Sequence, residues 1–211
     1  MFVQHVDIIV QAIAIAVPIG VALGVVITYD DRVATVVLWL AGIMMTIPSI
    51  ALFGLLIPYL GIGVTPVVFA LVLYSQLPIV RNTYVGLTQV DPAAVEAGTA
   101  LGMTRRQRLW RVQLPVALPV IMTGVRNAVV LLIGIAAIGA FIGGGGLGNM
   151  IFNGISGANT PMIVVGTIVL SLLALAFDYG FGVLEQLFRL RNGEELDAAL
   201  VTRLLWRSNH D

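Results

Sequence analysis

Long uncharged apolar runs, separated by short polar stretches, set the first expectation for this chain. Residues 8–28 hold about 21 positions without a charge, enough for a helix to cross a bilayer core of ~30 Å. Further runs follow at 33–57, 64–80, 119–142 and 162–184. The second is interrupted at Thr46-Ile47-Pro48-Ser49, where proline removes an intrahelical bond and kinks or breaks the helix. Gln76 and Pro78 lie near the end of the third, Arg126 lies inside the fourth and Asp178 inside the fifth. The pattern predicts an all-α polytopic membrane protein, one transmembrane domain over residues 1–211 with five transmembrane helices. A polar connection spans 81–118 and a charged tail spans 185–211. In the tail, Leu200, Leu204, Leu205 and Trp206 suggest a weakly amphipathic helix at the membrane surface. The first run has no basic segment before it and exceeds the usual signal-peptide core, so it is expected to stay in the protein. Gly20 and Gly24 within it have the spacing that allows close helix–helix approach.

Composition agrees with this. The chain is 59% hydrophobic and 10% charged, with a mean hydropathy of +1.01, well outside soluble averages. Having no cysteine, it has no disulfide, thiolate chemistry or cysteine-bound metal. His5 and His210 sit at opposite ends, where either can be a terminal surface residue, and form no ligand cluster, so neither a metal site nor a catalytic residue is expected. Every basic residue is an arginine. With five spans, Arg32, Arg81, Arg105, Arg106, Arg108, Arg111, Arg189, Arg191, Arg203 and Arg207 fall on one side, while 1–7, 58–63 and 143–161 carry none. The excess of arginine on inner loops then puts the N-terminus outside and the C-terminus in the cytoplasm. Gly143–Gly148 follows no strand and lacks a Gly-Lys-Ser/Thr ending, so it reads as a turn that approaches another element closely, not as a phosphate loop.

The polar connection has its own punctuation. Asp91 can cap a helix that has Pro92 at its first position. Gly102 offers a left-handed stop and Thr104 a second cap. Two short helices joined at a glycine elbow are expected, the second carrying Arg105, Arg106, Arg108 and Arg111. Glu96 falls too late for a capping box, whose place is Ala94; by itself it reads as an exposed surface charge. Within the spans, Thr46, Pro48, Ser49 and Gln76 are candidates for lining a wet cavity at a broken helix, with a packing kink at Pro48 the alternative. Arg126 and Asp178 fall at similar depth in the last two spans and can pair; otherwise Arg126 snorkels to the interface and Asp178 is satisfied locally.

Glu96-Ala97-Gly98, the later Gly102 and the closing Leu114-Pro115 resemble the EAA loop of bacterial ABC-importer permeases, with glycine at 98 in place of the second alanine. Segments 46–52, 77–83, 90–92, 102–109, 114–122 and 143–148 resemble the osmoprotectant branch, the importers of glycine betaine, choline, carnitine and proline betaine. The resemblance implies a permease of the bacterial cytoplasmic (inner) membrane, embedded in the lipid bilayer. It would pair with a second permease subunit, as homodimer or related heterodimer. Two cytoplasmic ATPases and an extracytoplasmic binding protein would complete the complex, all as separate chains. ATP and magnesium would belong to the ATPase, so this chain would need no cofactor, be no enzyme and bind no nucleic acid. Asp91, Glu96, Ala97, Gly98, Gly102, Arg105 and Arg106 would form the ATPase-coupling element, and solute would pass by alternating access. A methionine or other amino-acid permease is the alternative within the class. A secondary transporter lies outside it, although no internal repeat is found. No convergent set of aromatics is seen for a quaternary ammonium, consistent with selection in the binding protein.

Overall fold

The computed structural model describes residues 1–193 and Thr202; the expected tail helix near 200–206, Arg203, Arg207 and His210 lie outside the described residues. The described residues form helices only: α1 (Phe2–Ile27), α2 (Asp31–Thr46), α3 (Ser49–Leu60), α4 (Val64–Thr88), α5 (Pro92–Ala100), α6 (Arg105–Arg108), α7 (Leu114–Gly139), α8 (Gly148–Ser156) and α9 (Thr160–Arg191). A π turn, Leu109–Gln113, joins α6 to α7, and a 3-10 turn, Ala140–Ile142, closes α7. Among the described residues four segments are each long and apolar enough to cross a membrane: Phe2–Ile27, Val64–Thr88, Arg105–Ile142 and Thr160–Arg191. The pair α2 and α3, bent by 97° at Pro48, makes a fifth when counted as one broken span.

Helix α4 is the centre of the bundle. It packs against α1, α2, α3 and α7, while α9 lies on α7 and α8. The core between them is built from Ile8, Ile9, Phe53, Leu71, Leu132 and Ile133, all fully or almost fully buried. In lipid, helices gain little by hiding apolar side chains from one another, so close van der Waals approach holds them together. Gly20 and Gly24 of α1 allow that approach to α4. A Cβ at Gly20 would stand 2.6 Å from Cγ2 of Ile79, and one at Gly24 would run into the Thr83 side chain.

Contacts between distant residues fix the two ends. At one, Gln4 spans the glycine run, accepting from the Gly146 N–H at 3.1 Å and donating to the Gly144 carbonyl at 3.4 Å, and the Gly63 N–H donates to Ile142 O at 3.0 Å. At the other, Tyr84 donates to Asp31 Oδ1 at 3.3 Å, and Asn192 Nδ2 donates to the carbonyls of Pro115 and Val116 at 3.2 and 3.3 Å. Residues 1 and 192 therefore lie at opposite ends of the bundle.

Several elements differ from the pattern in the sequence. Helix α1 starts at Phe2, and His5 is not a surface residue: it is fully buried, with Nε2 3.2 Å from the Ile133 carbonyl. The glycine-rich connection is not all turn, since 148–156 forms α8 and packs on α9. Helix α4 runs past Val80 to Thr88, and α9 runs past Leu184 to Arg191, so both extend into polar sequence beyond their apolar runs. The second helix after the glycine elbow is not separate, because nothing breaks the chain between Arg105 and the fourth span. Pro115, lacking an N–H, is accommodated by the π turn directly before it, in which Leu114 N–H bonds Leu109 O.

Gly24→Val is expected to destabilise the protein by about 1–3 kcal/mol through overpacking against Thr83. Gly54→Val, at a position with open space around it, is the control. Thermal unfolding in detergent should separate them, and equal melting temperatures would refute close α1–α4 packing.

Candidate functional site

The polar segment after α4 folds into a compact two-helix unit. Asp91 starts α5 by accepting from the Ala93 N–H at 2.9 Å. At its end Gly102 adopts φ +74°, a left-handed conformation that favours glycine. Gly102 N–H then bonds Thr99 O at 2.9 Å and Met103 N–H bonds Gly98 O at 3.1 Å, the paired closure of a Schellman turn. Helix α6 opens with a capping box: Gln107 N–H donates to Thr104 Oγ1 at 3.3 Å, and Thr104 N–H to Gln107 Oε1 at 2.8 Å. Arg108 crosses back, its Nη1 donating to Thr99 Oγ1 at 2.6 Å. Gly98 is buried under that arginine; a Cβ there would stand 3.0 Å from Arg108 Cγ. The glycine at 98 thus lets the arginine stem lie on α5.

The unit presents two sides. Toward the bundle it borders a cleft of about 420 Å³ beneath the ends of α1 and α4, which Glu96, Arg105 and Arg108 help to line. The Arg105 guanidinium carbon lies 4.0 Å from the centroid of the Tyr29 ring. Away from the bundle, Ala97, Arg106 and Leu101 are exposed, Leu101 at 77%. Glu96 is exposed and makes no hydrogen bond or ion pair with another described side chain. Arg32, Arg105, Arg106, Arg108, Arg111, Arg189 and Arg191 all belong to this end of the bundle.

At Pro48 the chain turns because Ile47, the residue before proline, is extended (φ −71°, ψ 125°). Tyr74 of α4 donates to the Ile47 carbonyl at 2.6 Å, and Thr46 Oγ1 bonds back to Ile43 O at 2.8 Å. Thr46 and Pro48 are exposed and Ser49 is half-buried. Gln76 is not at this break. It faces α1, with Nε2 bonded to Val72 O at 2.8 Å and Oε1 buried beside Gly20 without a hydrogen bond. The group that does reach the break, Tyr74, is missing from the sequence candidates.

Arg126 and Asp178 meet across α7 and α9 in a bidentate pair, Nε to Oδ1 at 2.6 Å and Nη2 to Oδ2 at 2.7 Å. Gly182 makes room, since a Cβ there would sit 3.2 Å from Arg126 Nη1. Glu185 joins them: Oε2 lies 3.6 Å from Arg126 Nη1, and Oε1 accepts from Arg189 Nη2 at 2.9 Å. The sequence reading assigned Glu185 to the tail, yet it is buried within α9. The signal was there in the spacing of 178, 182, 185 and 189, which repeats along one helical face.

The family described as binding-protein-dependent transport system inner membrane component matches residues 16–190. The osmoprotectant import permease protein OsmW of Salmonella typhimurium is 50% identical over 181 residues, covering 83% of this chain and 84% of the relative. The choline transport system permease protein OpuBB of Bacillus subtilis is 40% identical over 183 residues, 87% of this chain and 84% of that protein. Among solved structures, a chain of the inward-facing MetNI methionine ABC transporter is similar in fold, with a TM-score of 0.75 and 24% identity over 88% of this chain and 91% of that one.

Arg126→Ala and Asp178→Ala are each expected to lower stability, and the double mutant to lose less than their sum by about 0.5–3 kcal/mol. Thermal unfolding in detergent reads the cycle; additive losses would mean the two groups do not interact.

Proposed function

The chain belongs to the family of binding-protein-dependent transport system inner membrane components and is a transport permease subunit; from that premise we propose that it carries compatible solutes such as glycine betaine, choline, carnitine or proline betaine. The solute class is supported by relatives named for osmoprotectant, choline and carnitine transport at 37–50% identity. The likeness to the methionine transporter, at 22–24% identity, speaks for fold alone.

The observation that carries the mechanism is the α5–Gly102–α6 unit. It is fixed internally by the Schellman turn, the capping box and the Arg108–Thr99 bond, while Glu96, Ala97, Leu101 and Arg106 remain exposed. That combination suits a lever docked on another protein: rigid enough to carry displacement, with an open face to receive it. A separate ATPase, which holds the ATP and magnesium, docks on this unit at the exposed Glu96, Ala97 and Arg106, while Asp91, Gly98, Gly102 and Arg105 give the coupling unit its shape and seat. The arginine-rich end then faces the cytoplasm, and the N-terminus faces outward with Gln4 and the glycine run. A loaded binding protein docks on that outer end. Two copies of the ATPase and a second permease complete the complex, since one bundle of this size encloses no polar passage by itself. ATP-driven closure of the ATPases shifts the lever and alternates access across the membrane. Thr46, Pro48 and Ser49 line the passage at the break, where a disrupted backbone is tolerated beside a wet cavity.

Glu96→Ala and Gly102→Val are each expected to abolish uptake while the protein still reaches the membrane. For Gly102 the reason is backbone strain and not a clash, because the space around it is open; a left-handed residue with a Cβ costs about 1–2 kcal/mol, more for a β-branched one. Hydrolysis stimulated by loaded binding protein at the wild-type rate in either variant would end the coupling assignment. Competition among labelled betaine, choline and carnitine identifies the solute. Cysteines placed at 46 and 49 in this cysteine-free chain should react with small aqueous thiol reagents during turnover. No labelling in any nucleotide state would leave Pro48 as a packing kink.

A further inference from the structure

Tyr29 lies in the turn between α1 and α2 and has no part in the function proposed above. One face of its exposed ring lies under Arg105 of α6, the guanidinium carbon 4.0 Å from the centroid. The next residue, Asp30, caps α2 by accepting from the N–H groups of Arg32 at 2.8 Å and Val33 at 3.3 Å. Asp31, the first residue of α2, accepts from Tyr84 of α4 at 3.3 Å. At the far end of α2, Tyr74 of α4 holds the Ile47 carbonyl at 2.6 Å. Helix α2 is therefore held at both ends by tyrosines of the central helix, and at its Asp30 end it also meets the α5–α6 unit through Tyr29.

Displacement of that unit enters the bundle along the chain at both of its ends, through Gln89–Asp91 into α4 and through the π turn into α7. Neither of these reaches α2 directly. A further route runs sideways, from Arg105 to Tyr29, through the capped start of α2, and along α2 to the break at Pro48. A helix transmits axial displacement well, and α2 ends where the chain turns by 97°. We infer that Tyr29 is a positioning residue for transport: its ring under Arg105 passes movement of the α5–α6 unit to α2 and so sets the state of the break at Pro48. The inference rests on the coupling role proposed for the α5–α6 unit.

The test uses the whole complex, reconstituted in proteoliposomes with its ATPase and binding protein, and reads solute taken up per ATP hydrolysed. A merely structural role for Tyr29 would change the amount of complex and leave that ratio alone. Tyr29→Leu removes the ring face and should lower the ratio by about two- to fivefold, the size expected for an exposed cation–ring contact. Tyr29→Phe keeps the face and should restore the wild-type ratio. Arg105→Gln should show the same drop, Arg105→Lys should recover most of it, and Arg105→Gln should add nothing in the Tyr29→Leu background. A wild-type ratio in Tyr29→Leu, an equal loss in Tyr29→Phe, or multiplying losses in the double variant would each overturn the inference. Should Tyr29→Leu fail to assemble, the Arg105 pair decides: equal ratios in Arg105→Gln and wild type overturn it. Glu96→Ala, run in parallel, reports separately on the coupling role.

Discussion

Close approach of neighbouring helices to α4 is the contact on which the rest of the bundle depends. Where the surroundings are as apolar as the side chains, association comes from packing at short range. Glycines supply it on both sides of α4: Gly20 and Gly24 from α1, and Gly124 from α7, where a Cβ would stand 2.7 Å from the Pro78 carbonyl. Gly86 of α4 itself lies against Ala117 in the same way. With α1 and α7 set against α4, the hydroxyls of Tyr74 and Tyr84 are placed to hold α2, which packs less extensively. The backbone break at Pro48 can then exist without an unsatisfied Ile47 carbonyl, a group that would be expensive inside a membrane.

Much of this was legible in the chain because the constraints are local. Apolar run length marked the membrane-crossing segments, and Pro48 marked the break. Asp91, Pro92, Gly102 and Thr104 marked helix starts and stops that the structure realises bond by bond. Arg126 and Asp178 could be matched because both are charges at comparable depth, and few other partners are available there. What could not be read depends on contacts between distant residues. The angle at Pro48 needs Tyr74, and a tyrosine near the end of an apolar run carries no sign of its partner. His5 was misplaced because nearness to a terminus usually means exposure, whereas here the glycine run folds back over it: a Cβ at Gly146 would stand 2.7 Å from His5 Nδ1. Glu185 was missed because hydropathy alone ends the span at Leu184, although α9 continues to Arg191.

The two ends of the bundle differ in kind. One is closed by backbone and amide contacts, with Gln4 laid along the glycine run and no arginine nearby among the described residues. The other gathers the arginines, and these do more than decide orientation. Arg108 braces α5 against α6, Arg105 covers Tyr29, and Arg189 shares Glu185 with Arg126. For the bracing bond and the shared carboxylate a guanidinium suits better than an ammonium, being planar, always charged and able to donate in a fixed fork. The complete absence of lysine fits an end whose cations are structural parts as well as topological markers.

The π turn at Leu109–Gln113 has a consequence for chain length. One surplus residue is absorbed there without shifting the helix on either side, so the angular phase of α6 relative to α7 is that of an uninterrupted α-helix one residue shorter. Removing a single residue within this turn would restore ordinary α-helical register and leave Arg105 facing Tyr29, with strain at Pro115 as the cost. Removing one residue just beyond it, in α7, would turn everything before the deletion by about 100° and carry Arg105 off the ring. Variation in length thus keeps the direction of the lever at one point along this segment and loses it at its neighbours.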